Sequence, residues 1–121
     1  MRKVLVVEDN MENLTLITYA LQRAGYTVVA AETGEEGIEI ALKERPMFII
    51  MDIDLPGIDG IETTRRIRVS EIGSSIPIIA ITSYAMVGDK EAILEAGCNG
   101  YFQRPIDPVT IMDRIERIIN K

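Results

Sequence analysis

The chain has no histidine. That absence removes Ser-His-Asp and Cys-His nucleophilic sites and histidine-ligated metals together. It has one cysteine, Cys98, so no internal disulfide forms, and a lone thiol between a helix end and a strand is expected to be an inert packing residue. Positive charge is also in deficit, with 13 Lys and Arg against 19 Asp and Glu and a net charge of −6. An acidic chain attracts nucleic-acid phosphates weakly, so direct nucleic-acid binding is not expected. No apolar run nears the roughly 20 residues of a membrane span, since Met47-Phe48-Ile49-Ile50-Met51 halts at Asp52. The start, Met1-Arg2-Lys3-Val4-Leu5, lacks the apolar length and the small-residue cleavage site of a signal peptide. A cytoplasmic location with no membrane association is the expectation. Internal repeats, low-complexity tracts and linkers are missing too. A length of 121 residues suits one core, so residues 1–121 are expected to form a single domain with no output domain attached.

What is present is apolar sequence, 47% of the chain, enough to offset the conformational entropy lost on folding. Five short apolar runs, Lys3 to Val7, Thr27 to Ala31, Met47 to Met51, Pro77 to Ile81 and Gly100 to Gln103, alternate with longer segments of helical period. The runs are continuously apolar rather than alternating, as strands covered on both faces should be. Asn10 is the expected N-cap of the first helix, which carries Leu14, Ile17 and Leu21 and stops at Gly25. Thr33 with Glu36, and Asp59 with Glu62, read as capping boxes opening the second and third helices. The fourth is expected from Met86 to Ala96, before Gly97, and the fifth from Asp107 as cap and Pro108 as first helical residue, with Ile111, Ile115, Ile118 and Ile119 as its buried stripe. Five βα units with right-handed crossovers make an α/β fold. It is an open, doubly wound, five-stranded parallel sheet with five helices, and the flavodoxin-like order 2-1-3-4-5 is the natural assignment by analogy with such folds.

Ligands of such sheets sit outside the carboxyl ends of the strands, so the residues that end each run are the informative ones. Glu8 and Asp9 follow the first run, Asp52 ends the third, Thr82 and Ser83 the fourth, and Arg104 the fifth. Glu8, Asp9 and Asp52 bring three carboxylates together, and like charges so placed raise one another's pKa unless a cation compensates. A hard divalent ion with oxygen ligands is that cation, for which Mg²⁺ is suited. A single acidic pair at a helix start is more often a surface feature; three acids on two adjacent strand ends reverse the balance. Asp52 is held by a buried strand at the rim, a fixed position suited to a nucleophile, although a strand-ending cap would place an aspartate there too. In Asp54-Leu55-Pro56-Gly57, Pro56 and Gly57 fit the middle of a type II turn that aims the Asp54 carbonyl at the metal. Phosphoryl transfer needs the charge on the equatorial oxygens neutralised, and the Thr82 hydroxyl and the Arg104 cation supply donors for it. Alone, Thr82 reads as an ordinary strand-end threonine and Arg104 as a solvated charge; the constellation carries the inference.

Glu8-Asp9-Asn10, Met51-Asp52-Ile53-Asp54-Leu55-Pro56-Gly57-Ile58-Asp59-Gly60, Ile81-Thr82 and Tyr101…Arg104-Pro105 resemble, in order and spacing, the receiver family of response regulators in two-component signalling, over essentially the whole chain. The resemblance implies a phosphorelay signalling domain rather than an enzyme. Asp52 would accept the phosphoryl group of a phosphohistidine. Asp9, Asp52 and the Asp54 carbonyl would bind Mg²⁺ (or Mn²⁺), with Glu8 assisting through water. Thr82 would turn toward the phosphoryl oxygen as Tyr101 becomes buried, changing the face made by helix four, strand five and helix five. Asp54 and Tyr84 would tune hydrolysis of the aspartyl phosphate, a bulky Tyr84 slowing it, and the Arg104-Pro105 peptide would be cis.

The sequence departs from the family at Arg104, where the pattern has lysine. The charge is kept but its shape is not, so phosphorylation is expected to persist with altered coupling to the switch. With no histidine in the chain, the donor would be a histidine kinase or phosphotransfer protein. The signal would leave through a downstream protein bound at helix four, strand five and helix five, where Tyr84, Met86, Val87, Tyr101 and Ile106 are available. The alternatives are a phosphorylation-independent receiver-like interaction module, which Arg104 makes plausible, and a small aspartyl-phosphate phosphohydrolase. Asp52-Ile53-Asp54 resembles the nucleophile and acid of haloacid-dehalogenase-type enzymes, which carry the pair after the first strand rather than the third. A dinucleotide or flavin site is weaker still, because Glu8-Asp9-Asn10-Met11 has no glycine to let a phosphate approach the backbone.

Overall fold

Strands and helices alternate throughout the computed structural model, which describes residues 2–70, 73, 75–83 and 87–120. In order they are β1 (Lys3–Val7), α1 (Met11–Arg23), β2 (Thr27–Ala31), α2 (Gly34–Glu44), β3 (Ile49–Asp52), α3 (Gly60–Arg68), β4 (Ile78–Thr82), α4 (Val87–Ala96), β5 (Gly100–Gln103) and α5 (Ile111–Ile119). The five strands form one parallel sheet in the order β2-β1-β3-β4-β5, the flavodoxin-like order expected.

The continuous apolar runs are explained by what covers them. Val4, Val6, Phe48, Ile50, Ile79, Ile81 and Phe102 face one cluster with Ile17, Ala20 and Leu21 of α1 and Ile111 and Ile115 of α5. The alternate residues Leu5, Val7, Ile49, Met51, Ile78 and Ala80 face the other, with Ala41 of α2, Ile67 of α3 and Ile93 of α4. The inner strands β1, β3 and β4 thus have two buried faces and need apolar residues at both, whereas the edge strands β2 and β5 are only partly covered. Cys98 is buried in the second cluster, and burial pushes its thiol up despite Thr64 and Arg68, as suits a packing residue.

The helix caps follow the local signals with two instructive differences. Asn10 accepts the Asn13 N–H, Thr33 that of Glu36, and Asp59 that of Glu62. The Glu36 carboxylate reaches back to the N–H of Glu32, one residue before the cap, in place of that of Thr33, whereas the Glu62 carboxylate turns to Arg66 at 2.9 Å, so the third helix has the cap without any bond back. Gly25, at φ +93°, ends α1 with the Tyr26 N–H on the Leu21 carbonyl and its own on that of Gln22. The regular fifth helix begins at Ile111, not Pro108: Asp107 accepts the Val109 N–H on its side chain at 2.9 Å and the Ile111 N–H on its carbonyl at 3.0 Å, so residues 108–110 form a turn that leads into the helix.

The third and fourth strands run slightly later than their apolar runs, to Asp52 and Thr82. Pro77 has no N–H to give the ladder, though its carbonyl accepts from Ile49 at 2.9 Å, and Met47 is exposed. The shift matters for the site, because Asp52 and Thr82 sit inside the sheet as its last rung rather than in the loops beyond it.

Candidate functional site

The loops after β1, β3, β4 and β5 meet at the carboxyl edge of the sheet, since β1, β3, β4 and β5 are consecutive neighbours there. Asp52 and Thr82 are nearly inaccessible, at 3% and 2% exposure, and Glu8, one residue past β1, is 1% exposed. Glu8 is held in place because its own N–H continues the ladder to the Ala31 carbonyl at 2.9 Å. Asp9 is exposed at the rim. Carboxylate oxygens of Glu8, Asp9 and Asp52 lie within 4.8 Å of one another, which makes the expected three-acid cluster a fact of the fold.

Gly60, the first residue of α3, allows the helix to sit directly behind Asp52. A Cβ there would lie 2.3 Å from the Asp52 carbonyl oxygen, so no other residue fits without moving backbone. The Pro56-Gly57 turn has Gly57 at φ +73°, the value a type II turn needs at its second central position. Before that turn, the Asp54 N–H donates to Asp52 Oδ1 at 3.0 Å, an Asx turn at the end of β3. The Asp54 carboxylate is drawn in as well, with Oδ2 accepting the Ser83 N–H at 3.4 Å.

Arg104 enters from the end of β5, where its own N–H binds the Thr82 carbonyl at 2.9 Å. The peptide to Pro105 is cis, as the resemblance implies. The guanidinium is only 15% exposed and spans the site: Nη2 lies 2.5 Å from Glu8 Oε1 and 3.2 Å from Asp52 Oδ1, and Nη1 lies 3.6 Å from Asp54 Oδ2. Its reading as a solvated charge, taken alone, is overturned by these contacts. The involvement of the Asp54 side chain, Gly60 and the Asn10 N–H was not legible in the sequence beforehand. For Asp54 the resemblance implies a carbonyl role at the metal and a hydrolysis-tuning role but not the pairing of its carboxylate with Ser83 and Arg104, and a glycine at a helix start gives no hint of which carbonyl it must clear.

The electrostatics are those of crowded acids. The Glu8 carboxyl is pushed up to about 7 by burial first and by the hydrogen bond and charge of Asp52 next, with the Asn10 N–H and Arg104 pulling the other way. Burial acts against the charged form of Arg104, but Asp52 and Glu8 outweigh it and hold the guanidinium more firmly protonated than usual. One cation therefore does not neutralise the cluster. Three hard oxygen donors in reach of one another, still under like-charge stress, fit a small divalent ion such as Mg²⁺.

The remaining expected residues lie further out. Tyr101 is half-buried on β5, packed against the second cluster, with Lys90 Nζ 5.6 Å from its ring centroid. Ile106 is also half-buried, against the first cluster. Tyr84 and Met86 lie outside the described residues, as does the Val87 side chain. Among the described residues no helix is long and apolar enough to cross a membrane.

A family model described as the response regulator receiver domain matches residues 4–116. The polar-differentiation response regulator DivK of Brucella anthropi is 35% identical over 115 residues, covering 95% of this chain and 94% of that protein. Among solved structures, a response regulator from Chloroflexus aurantiacus J-10-fl superposes with a TM-score of 0.93 at 32% identity, covering 99% of this chain and 98% of that one. The receiver domain of the Pseudomonas aeruginosa PAO1 sensor histidine kinase PA1611, which has a magnesium ion coordinated in its active-site cleft, superposes with a TM-score of 0.91 at 38% identity, covering 99% and 98%.

Proposed function

We propose that this chain, which belongs to the response regulator receiver domain family, is a phosphoacceptor switch in which Asp52 takes a phosphoryl group in a metal-dependent reaction. The observation that carries the reading is the meeting of Glu8, Asp9 and Asp52 within 4.8 Å at the sheet edge, with Thr82 and Arg104 beside them. A surface aspartate would not be buried to 3% exposure on the last rung of a strand with a cation at 3.2 Å.

In the proposed reaction an Asp52 carboxylate oxygen attacks the phosphorus of a phosphohistidine on a histidine kinase or phosphotransfer protein. An O–P bond forms, the N–P bond breaks, and the released imidazole nitrogen keeps the electron pair and takes a proton. Mg²⁺ or Mn²⁺, held by Asp9, Asp52 and the Asp54 carbonyl with Glu8 assisting through water, would neutralise charge on the phosphoryl oxygens. Magnesium in the cleft of the PA1611 receiver supports that choice. Thr82 and Arg104 supply a hydroxyl and a fixed cation to the same oxygens, and burial at the sheet edge strengthens both by excluding water. The role is signalling rather than turnover. Residues 1–121 would act as one cytoplasmic receiver domain whose output leaves through α4, β5 and α5, with Tyr101 moving inward. The groove there is lined by Leu94, Tyr101, Phe102, Arg114 and Ile118.

Intact mass after incubation with Mg²⁺ and acetyl phosphate tests the reading. Wild type is expected to gain one phosphoryl group, lost in EDTA and in Asp52→Asn. No gain from acetyl phosphate or from any histidine-phosphorylated donor would overturn it in favour of a phosphorylation-independent interaction module.

A further inference from the structure

We propose that the free edge of β2 is a self-association surface, on which a second copy of this chain adds its own β2 antiparallel and joins two sheets into one across a twofold axis. β2 ends the sheet on one side, since the order is β2-β1-β3-β4-β5. The Thr27 N–H bonds the Arg2 carbonyl and the Ala31 carbonyl accepts the Glu8 N–H, so Thr27, Val29 and Ala31 turn their backbone groups toward β1. Directions alternate along a strand, so Val28 and Ala30 turn theirs outward, where no strand of the described residues lies. Natural sheet edges are guarded against pairing by charge, proline or bulges. The opposite edge has such guards: Lys90 and Arg114 lie over the rings of Tyr101 and Phe102, and β5 runs out into Arg104 and Pro105. β2, Thr27-Val28-Val29-Ala30-Ala31, has none, and Thr27 and Ala30 are exposed.

The surroundings of the edge select a second copy as its occupant. A twofold axis at Val29 sets Val28 of each copy opposite Ala30 of the other, so the residues whose backbone groups point outward meet as hydrogen-bonded pairs. The same register sets Glu32 opposite Tyr26 of the second copy. Tyr26 carries the Arg2 guanidinium 4.2 Å from its ring centroid, and Arg2 and Glu32 are both exposed, so a carboxylate meets a cation at each end of the joint.

The flank of α2 repeats the pattern. Glu36, Glu39, Ile40 and Lys43 line a groove beside Ala30, acidic toward the start of the helix, basic toward its end and apolar between. The axis lays two such flanks antiparallel, with Lys43 of each copy facing the acidic end of the other. An edge of one sign would repel its copy, whereas opposite charges at the two ends attract it in one register. Such a contact is small among specific interfaces, so a Kd of about 100 µM is expected. It leaves the carboxyl edge of each sheet open and puts the two β5 strands at the far ends of the joined sheet.

Sedimentation velocity at concentrations up to about 1 mM tests the proposal. Wild type is expected to pass from monomer to dimer and no further, more readily at low salt than at high. Arg2→Glu and Glu32→Arg each place like charges at both ends of the joint and are expected to weaken dimerisation about tenfold. An equimolar mixture of the two variants is expected to regain wild-type association, because the mixed pair again has opposite charges at both ends. Ala30→Pro removes an outward N–H and is expected to abolish the dimer; if circular dichroism shows that it does not fold, the mixing experiment decides. A wild type that stays monomeric throughout overturns the proposal and leaves the edge to an extended segment of another protein. Growth past the dimer, a dimer indifferent to the charge variants, or a mixture that fails to restore association overturns it equally.

Discussion

Glu8 is the residue at which the cost of this site is concentrated, since it is a carboxyl buried beside another carboxylate. Its pKa rises from an ordinary 4.5 to about 7, so between those values the folded chain holds a proton that the unfolded chain has released. An acid raised in the folded state contributes stability at low pH that is lost as pH climbs toward the folded value. In EDTA, stability from urea unfolding is therefore expected to fall between about pH 5 and 7, with Glu8→Gln showing a shallower slope. Equal slopes in the two proteins would refute this account. Saturating Mg²⁺ should flatten the wild-type slope, because the ion favours the charged carboxylate. Arg104 shows the complementary case. Its sequence position identifies a cation at the end of a strand, but its chemistry depends on Glu8, Asp52 and Asp54, which reach it only through the folded sheet.

At the scale of elements, α3 is pinned at both ends. Its start is held by Gly60 against the Asp52 carbonyl. Its end is held by Arg68, whose guanidinium bonds the carbonyls of Gly73, Ile76 and Gly97 and the Asn99 side chain, tying the loops before β4 and β5 together far from the site. Gly60→Ala is expected to destabilise the fold by about 2 kcal/mol, as overpacking against backbone does, and to slow phosphorylation of Asp52, because α3 and β3 must part. Arg68→Ala is expected to cost roughly 3 kcal/mol by leaving those carbonyls unpaired, with phosphorylation of the folded fraction unchanged. Urea unfolding and the phosphorylation rate separate the two, and an equal loss of rate in both variants would contradict this division. The difference between helices three and five is instructive here. Asp59 caps a helix that can start at Gly60, whereas Asp107 precedes Pro108 and spends its carboxylate on an Asx turn. The same residue type sends two signals, and local sequence does not say which one the neighbouring packing selects.

For the whole molecule, the sheet is a wall between two apolar clusters with a polar rim at one edge, so the site can be charged without breaching the core. Any ion that binds only the folded rim stabilises the entire fold by mass action. The melting temperature is expected to rise with Mg²⁺ concentration in wild type by a few degrees, and to be insensitive to Mg²⁺ in Asp52→Asn. A similar rise in both would place the ion elsewhere on this acidic surface. Net charge of −6 adds a weak general attraction for cations, which the mutant comparison removes.

The amino-acid sequence by itself determined the alternation of strands and helices, most of the helix caps and the set of polar residues at the strand ends. Those signals act within a few residues: an apolar run buried on two faces, a side chain reaching the N–H three residues on, a glycine in the left-handed region. Strand order entered as an expectation of the fold class and needed the parallel pairings β2-β1-β3-β4-β5 to become a fact. Only the tertiary structure decided that Arg104 lies across Glu8, Asp52 and Asp54, and that Gly60 must clear the Asp52 carbonyl. Arg104 and Glu8 are 96 residues apart in the chain, and such contacts are set by sheet register and by the order in which strands pair, which no local pattern encodes.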